Sequence, residues 1–195
     1  AAVGALRSPR TPAPDASTFV SLLDSCARGG VMDAETGAVV PRHDGGTGRW
    51  DLALALLGEM EGAGLRPNAR AYTSALQALR KGRRWEASLA LLERMEAAGE
   101  APQWRALSIA MAACMRARQW KVVLQLLEKG RALGCGVDEA AYNTALSACE
   151  EGEAWGEAAA LFWEMQEAGV RVHVKHYAAL VAAFDSLAAP GAGAR

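Results

Sequence analysis

Apolar side chains recur along this chain at offsets of 0, 3, 4 and 7, the spacing that lines one face of an α-helix. Phe19, Leu22, Leu23 and Cys26 follow it, as do Tyr72, Ala75, Leu76 and Leu79, then Leu107, Ala110, Met111 and Cys114, then Tyr142, Ala145, Leu146 and Cys149. Each set predicts one helix. A second kind of apolar face, opened by a tryptophan, follows each of the last three: Trp85, Leu89, Leu92 and Met95; Trp120, Leu124 and Leu127; Trp155, Leu161 and Phe162. The unit predicted is therefore a helical hairpin. In the unit from Ala69 to Gln103, Gly99 stands just past the second helix, where a left-handed cap takes a residue without a side chain, and Pro102 stops the helix from continuing.

These hairpins repeat at a fixed interval. Trp50, Trp85, Trp120 and Trp155 are 35 residues apart, as are Gly64, Gly99, Gly134 and Gly169. Leu56–Leu57, Leu91–Leu92, Leu126–Leu127 and Leu161–Phe162 keep the same step. A period of this length marks stacked units, none of which buries its apolar face alone. The expected organisation is a solenoid over 16–187, made of units 16–68, 69–103, 104–138 and 139–173 and a half unit 174–187. The half unit is expected to cover the end of the stack. Residues 1–15 are expected to be a disordered segment and 188–195 a flexible tail. The period breaks once, after Gly29 and Gly30, where residues 31–48 intervene with four Gly, a Pro and no helical face. That stretch predicts an exposed loop inserted at a turn, where extra length costs little entropy.

Composition agrees with helices packed closely. Of 195 residues, 51% are hydrophobic, largely Ala and Leu, and only 6% are aromatic. Four of the six Trp are the periodic ones, which makes them packing elements of the repeat. Cys26, Cys114 and Cys149 share one place in their units, the pattern of a small buried residue, so a reducing compartment fits better than disulfides. The formal net charge of −1 excludes a broadly basic chain, so attraction to nucleic acid has to come from local clustering. No apolar run approaches the roughly 20 residues of a membrane helix, which predicts a soluble chain without a membrane partner. AAVGALRSPRTPAP, rich in Ala, Arg and Pro and lacking acidic groups, has the character of an organelle transit peptide.

The stretches AYTSALQAL, AYNTALSAC and HYAALVAAF resemble the first helix of the pentatricopeptide repeat, and WEASLALLERMEAAG and WGEAAALFWEMQEAG resemble its second. AGLRPN, AGEAP and AGV resemble its connecting turn. The resemblance spans roughly 16–187 outside the insertion. It implies an all-α fold, a right-handed α-solenoid of about four units plus a half. It also implies binding of single-stranded RNA in a mitochondrion or chloroplast, one base per unit, in RNA processing, stability or translation, alongside organelle RNA-processing proteins. Repeats of this type read unstacked bases in order along one groove.

In that family the fifth residue and the last residue of a unit select the base. Carried onto this sequence, the pairs are Thr73 with Gln103, Ser108 with Asp138, and Asn143 with His173, with Val20 and Asn68 in the first unit. Ser108 with Asp138 is a standard combination that implies guanine, and Asn143 leans toward a pyrimidine. Gln103 and His173 depart from the usual Asp or Asn, and Val20 cannot make the hydrogen bond of its position. Arg28, Lys81 and Arg116 fall where family members present a cation to the phosphate backbone, and Arg80, Arg83, Arg84, Arg118 and Lys121 add to that patch. Arg70, Arg105 and Lys175, second in their units, are placed to stack on base faces. Glu150, Glu151 and Glu153 stand at the corresponding edge of the last full unit. The near-zero charge, these glutamates and the departures from the code leave a second reading open, a scaffold for protein–protein interaction.

No phosphate-binding glycine loop, nucleophile elbow or metal-ligand spacing is present in the sequence, and His43, His173 and His176 have no Cys or Asp at ligand spacing. The expectation is a chain that is not itself an enzyme and needs no cofactor, with any catalysis supplied by an appended segment or a partner.

Overall fold

The computed structural model describes residues 15–28, 30–32, 39–41 and 49–171, together with Tyr177 and Val181. The expected disordered segment, apart from Asp15, lies outside the described residues. So do the tail and the half unit, apart from Tyr177 and Val181. Eight helices are described: α1 (Ala16–Arg28), α2 (Trp50–Gly62), α3 (Ala69–Lys81), α4 (Trp85–Ala97), α5 (Trp104–Arg116), α6 (Trp120–Ala132), α7 (Glu139–Glu151) and α8 (Trp155–Glu167). They divide between two compact bodies, residues 1–113 and 114–195. In the first, α1 and α2 form one hairpin, α3 and α4 the next, and α3 lies beside both α1 and α2. In the second, α7 packs against α6 and α8.

The insertion is not loop throughout, as the sequence had suggested. It holds two short strands, β1 (Gly30–Met32) and β2 (Val39–Pro41), paired antiparallel with Val31 opposite Val40 and lying against α1. Val31, Val39 and Val40 favour extended backbone, and pairing satisfies backbone groups otherwise left to water.

The first helices are entered through side-chain caps. Asp15 Oδ1 accepts from the Thr18 N–H at 2.8 Å, Asn68 Oδ1 from Ala71 at 3.0 Å and Asp138 Oδ1 from Ala141 at 2.9 Å. Each such cap is worth about 1 kcal/mol. Every periodic apolar position named above for α3, Tyr72, Ala75, Leu76 and Leu79, is fully buried, and so are Cys26, Cys114 and Cys149. Burial pushes the Cys26 thiol up to about 11 and the Cys149 thiol up to about 12. At pH 8 a thiol of pKa 11 is thiolate in roughly one molecule in a thousand. Iodoacetamide at pH 8 is therefore expected to label the half-buried Cys135 first, with Cys26, Cys114 and Cys149 modified only after denaturation, as read by peptide mass spectrometry.

Helix ends follow one scheme. After α4, the Gly99 N–H bonds the Glu96 carbonyl at 2.9 Å and the Glu100 N–H reaches back to Met95 at 3.0 Å, with Gly99 left-handed at φ 82°. After α3 the same pair of bonds runs from Arg83 to Arg80 and from Arg84 to Leu79, but the left-handed residue is Arg83, at φ 56°. Arg118 and Glu153 repeat this at φ 58° and 52°. A left-handed residue with a side chain costs about 1–2 kcal/mol. Gly99→Ala is expected to lower the urea midpoint by an amount equivalent to about 1 kcal/mol, and Arg83→Gly to leave it unchanged or raise it.

The tryptophans at the start of the second helices are half-buried. Trp50 lies against the backbone of Gly82, and Trp120 against that of Gly152, in each case the turn glycine of the following hairpin. Arg84 covers Trp50 with its guanidinium 4.5 Å from the ring centre. Outside the core, second helices of neighbouring hairpins are tied by ion pairs of opposite polarity: Glu61 of α2 with Arg94 of α4, and Arg131 of α6 with Glu164 of α8. Tyr142 donates to the same Glu164 at 2.9 Å.

Candidate functional site

In the first body α1 and α3 lie side by side and line an open groove of about 710 Å³, continued by the start of α5. The apolar offsets of both helices point into the core, so the residues between them in sequence face this groove. Thr73, Gln77 and Lys81 come from α3, Asp24 and Arg28 from α1, and Gln103 and Arg105 from the entry to α5. Arg28 and Lys81 occupy the last turns of their helices, where the carbonyl ends favour a cation.

Arg28, Arg70, Lys81 and Arg105 line the groove against one carboxylate, Asp24. The whole chain carries a formal −1, so this is a local reversal of sign. Arg28, Arg105 and Gln103 are exposed, while Thr73 is half-buried with its hydroxyl donating to the Ala69 carbonyl at 2.7 Å. The Thr73 oxygen keeps acceptor capacity toward the groove. The arrangement can hold an anion along the helix ends and present neutral donors and acceptors beside it.

Arg70, expected to lie over a base face, is tied by its Nη2 to Asp24 Oδ2 at 2.8 Å. Ser74, 5% exposed, donates to the other oxygen of Asp24. Burial pushes the Asp24 carboxyl up, but the hydrogen bonds from Ser74 and Arg70 and the charges of Arg70 and Arg28 outweigh it and hold it below the usual range. Asp24 and Ser74 were not anticipated from the sequence. They are 50 residues apart across the insertion, and no repeat spacing links them. Arg84, assigned to the basic patch, sits over Trp50 instead.

The remaining predicted residues fall elsewhere. Ser108 is half-buried on α5 and donates to the Arg105 carbonyl at 3.0 Å. Arg116 closes α5 and is exposed. Asp138 is exposed and spends one carboxylate oxygen as the cap of α7. Asn143 is half-buried, and its Oδ1 is occluded with no hydrogen-bond partner within the protein. Glu150, Glu151 and Glu153 are exposed in the second body, which also carries Arg116, Arg118 and Lys121. His173 and Lys175 lie outside the described residues. Among the described residues no helix is long and apolar enough to cross a membrane, and no three His, Cys, Asp or Glu are grouped to hold a metal ion.

The PPR repeat family model matches residues 70–100 and 140–170. No curated protein matches the chain. Among solved structures, the pentatricopeptide repeat protein PPR10 from maize is similar over 95% of this chain and 24% of its own length, at 22% identity and a TM-score of 0.59. PPR10 in complex with an 18-nucleotide psaJ RNA element gives 16% identity and a TM-score of 0.61 over 93% of this chain and 24% of that one. The PPR domain of Arabidopsis thaliana protein-only RNase P 1, in complex with tRNA, gives 12% identity and a TM-score of 0.71 over 94% of this chain and 90% of that one. The chain thus spans about a quarter of the length of the maize protein. These likenesses show the fold, an all-α helical-repeat solenoid.

Proposed function

We propose, from the premise that this is a pentatricopeptide repeat protein with matched repeats at 70–100 and 140–170, that it binds single-stranded RNA. The observation that carries the reading is the groove of the first body, which brings together six residues singled out in the sequence: Arg28, Arg70, Thr73, Lys81, Gln103 and Arg105. In this reading Arg28 and Lys81 take phosphate oxygens, Thr73 and Gln103 meet a base edge, and Arg70 and Arg105 lie along base faces. Ser108, Asp138, Asn143, His173 and Arg116 hold the same roles in the later repeats. The maize and Arabidopsis proteins of similar fold were crystallised with RNA, which supports the choice of ligand.

The chain then acts as an adaptor. It holds an unpaired stretch so that the stretch cannot fold or be digested, or so that a partner enzyme is delivered to it. We assign it to RNA processing, stability or translation in a mitochondrion or chloroplast, and no catalytic residue is assigned. Stacking contributes about 1–3 kcal/mol per base, so four units give modest affinity dominated by phosphate contacts.

The test is a titration of fluorescently labelled single-stranded RNA, and of the same RNA annealed to its complement, at about 50 and about 200 mM salt. Binding of the single strand that weakens steeply at the higher salt, with weaker binding of the duplex, is expected. No detectable binding of the single strand at low salt overturns the reading.

A further inference from the structure

We infer that Asp24, locked by Ser74, is a positioning residue that divides the labour of the groove: it fixes Arg70 as a flat contact for a base and leaves Lys81 and Arg28 as the phosphate contacts. The inference rests on the RNA-binding reading above and deepens it. Asp24 belongs to α1 and the two groups it engages belong to α3, so the clamp bridges neighbouring hairpins.

The geometry separates the cations by how much charge each has to offer. Arg70 Nη2 is 2.8 Å from Asp24 Oδ2, while the Arg70 side chain remains 73% exposed and that of Asp24 only 24%. One guanidinium nitrogen is spent, the rest of the plane stays open, and the partner carboxylate cannot swing away because the buried Ser74 hydroxyl holds its other oxygen. A guanidinium already paired with a carboxylate releases little counterion on meeting a phosphate, but its plane is held still and is well suited to stack on a base. Lys81 and Arg28 touch no carboxylate in an ion pair among the described residues, the Arg28 charge acting on Asp24 only through space.

The experiment measures the affinity of the full chain for a labelled single-stranded oligoribonucleotide of mixed sequence across a salt series, for Asp24→Asn, Ser74→Ala, Arg70→Ala and Lys81→Ala. Each phosphate contact contributes about 0.7 to the slope of log affinity against log salt for single strands. Lys81→Ala is expected to flatten the slope by about that amount. Arg70→Ala is expected to weaken binding several-fold with less than about half that change in slope. Asp24→Asn releases Arg70 as a phosphate ligand, so binding tightens at low salt and the slope steepens by up to about 0.7. Ser74→Ala moves the slope in the same direction by less, and it is the readout if Asp24→Asn loses helicity by circular dichroism. A slope unchanged in Asp24→Asn and Ser74→Ala, or flattened equally by Arg70→Ala and Lys81→Ala, overturns the inference while RNA binding stands. A wild-type chain that binds no RNA at low salt removes the RNA-binding reading, and the inference falls with it.

Discussion

Gly82→Ala is expected to cost about 2–3 kcal/mol of stability, with Gly152→Ala costing a similar amount. A Cβ built at Gly82 falls 2.3 Å from Trp50 Cδ1, 2.8 Å from Cγ and 3.2 Å from Cβ. These are atoms at the root of a rigid ring, not the far end of a flexible chain. The ring cannot retreat cheaply, because Arg84 covers it at 4.5 Å. At Gly152 the added atom meets Trp120 Cδ2 at 2.4 Å and Cε2 at 2.5 Å. The backbone is not the obstacle: Gly82 has φ −74°, open to any residue. Gly58, in α2, has nothing within 4 Å and serves as the control. Gly58→Ala is expected to gain up to about 1 kcal/mol from helix propensity alone. Urea unfolding of the single variants and of Gly82→Ala combined with Trp50→Leu measures the pair, and the double variant is expected to recover much of what Gly82→Ala loses. A Gly82→Ala chain as stable as Gly58→Ala contradicts the packing described.

Reversing both helix-end cations, Arg28→Glu with Lys81→Glu, is expected to lower affinity for single-stranded RNA by more than about tenfold near 0.1 M salt. The salt slope is expected to flatten by about 1.4, twice the contribution of one phosphate contact on a single strand. Both residues line the groove and both close a helix, so the reversal also opposes the carbonyl ends at about 0.3–1 kcal/mol each. Circular dichroism and the urea midpoint separate that loss from the binding loss. Arg66→Glu, a reversal of the same size in the turn after α2 and outside the groove, is expected to leave affinity within about twofold.

The helices were legible because burial enforces periodicity. Tyr72, Leu76 and Leu79 sit in the core because three turns of helix bring their offsets onto one face, and the 35-residue step of the tryptophans repeats that arrangement. Gly99 was legible for a local reason, its place just beyond a helix, and its φ of 82° follows. What stayed hidden depends on neighbours distant in sequence. The glycine before Arg83 invites a left-handed assignment, yet the left-handed residue is Arg83, while Gly82 lies against the Trp50 ring of the preceding hairpin. Five of the groove residues carried over from the repeat register, Arg28, Thr73, Gln103, Lys81 and Arg105, meet in one groove. The clamp on the sixth, Arg70, was illegible, since Asp24 precedes an insertion that breaks the period and hides which hairpin faces which. The repeat register offers Asp138 and Asn68 as base-selecting residues, and the structure shows both capping helices, a contact visible only once the helix start is placed.

Photocrosslinking tests the central claim most directly. The full chain is mixed with a single-stranded oligoribonucleotide carrying 4-thiouridine, irradiated and digested, and the crosslinked peptides are mapped by mass spectrometry. The groove account predicts adducts in the peptides holding Thr73 to Lys81 and Gln103 to Arg105, lost on Arg28→Glu with Lys81→Glu. Adducts confined to the exposed faces of α4 and α8, around Glu93 and Trp163, and insensitive to that reversal, would contradict it.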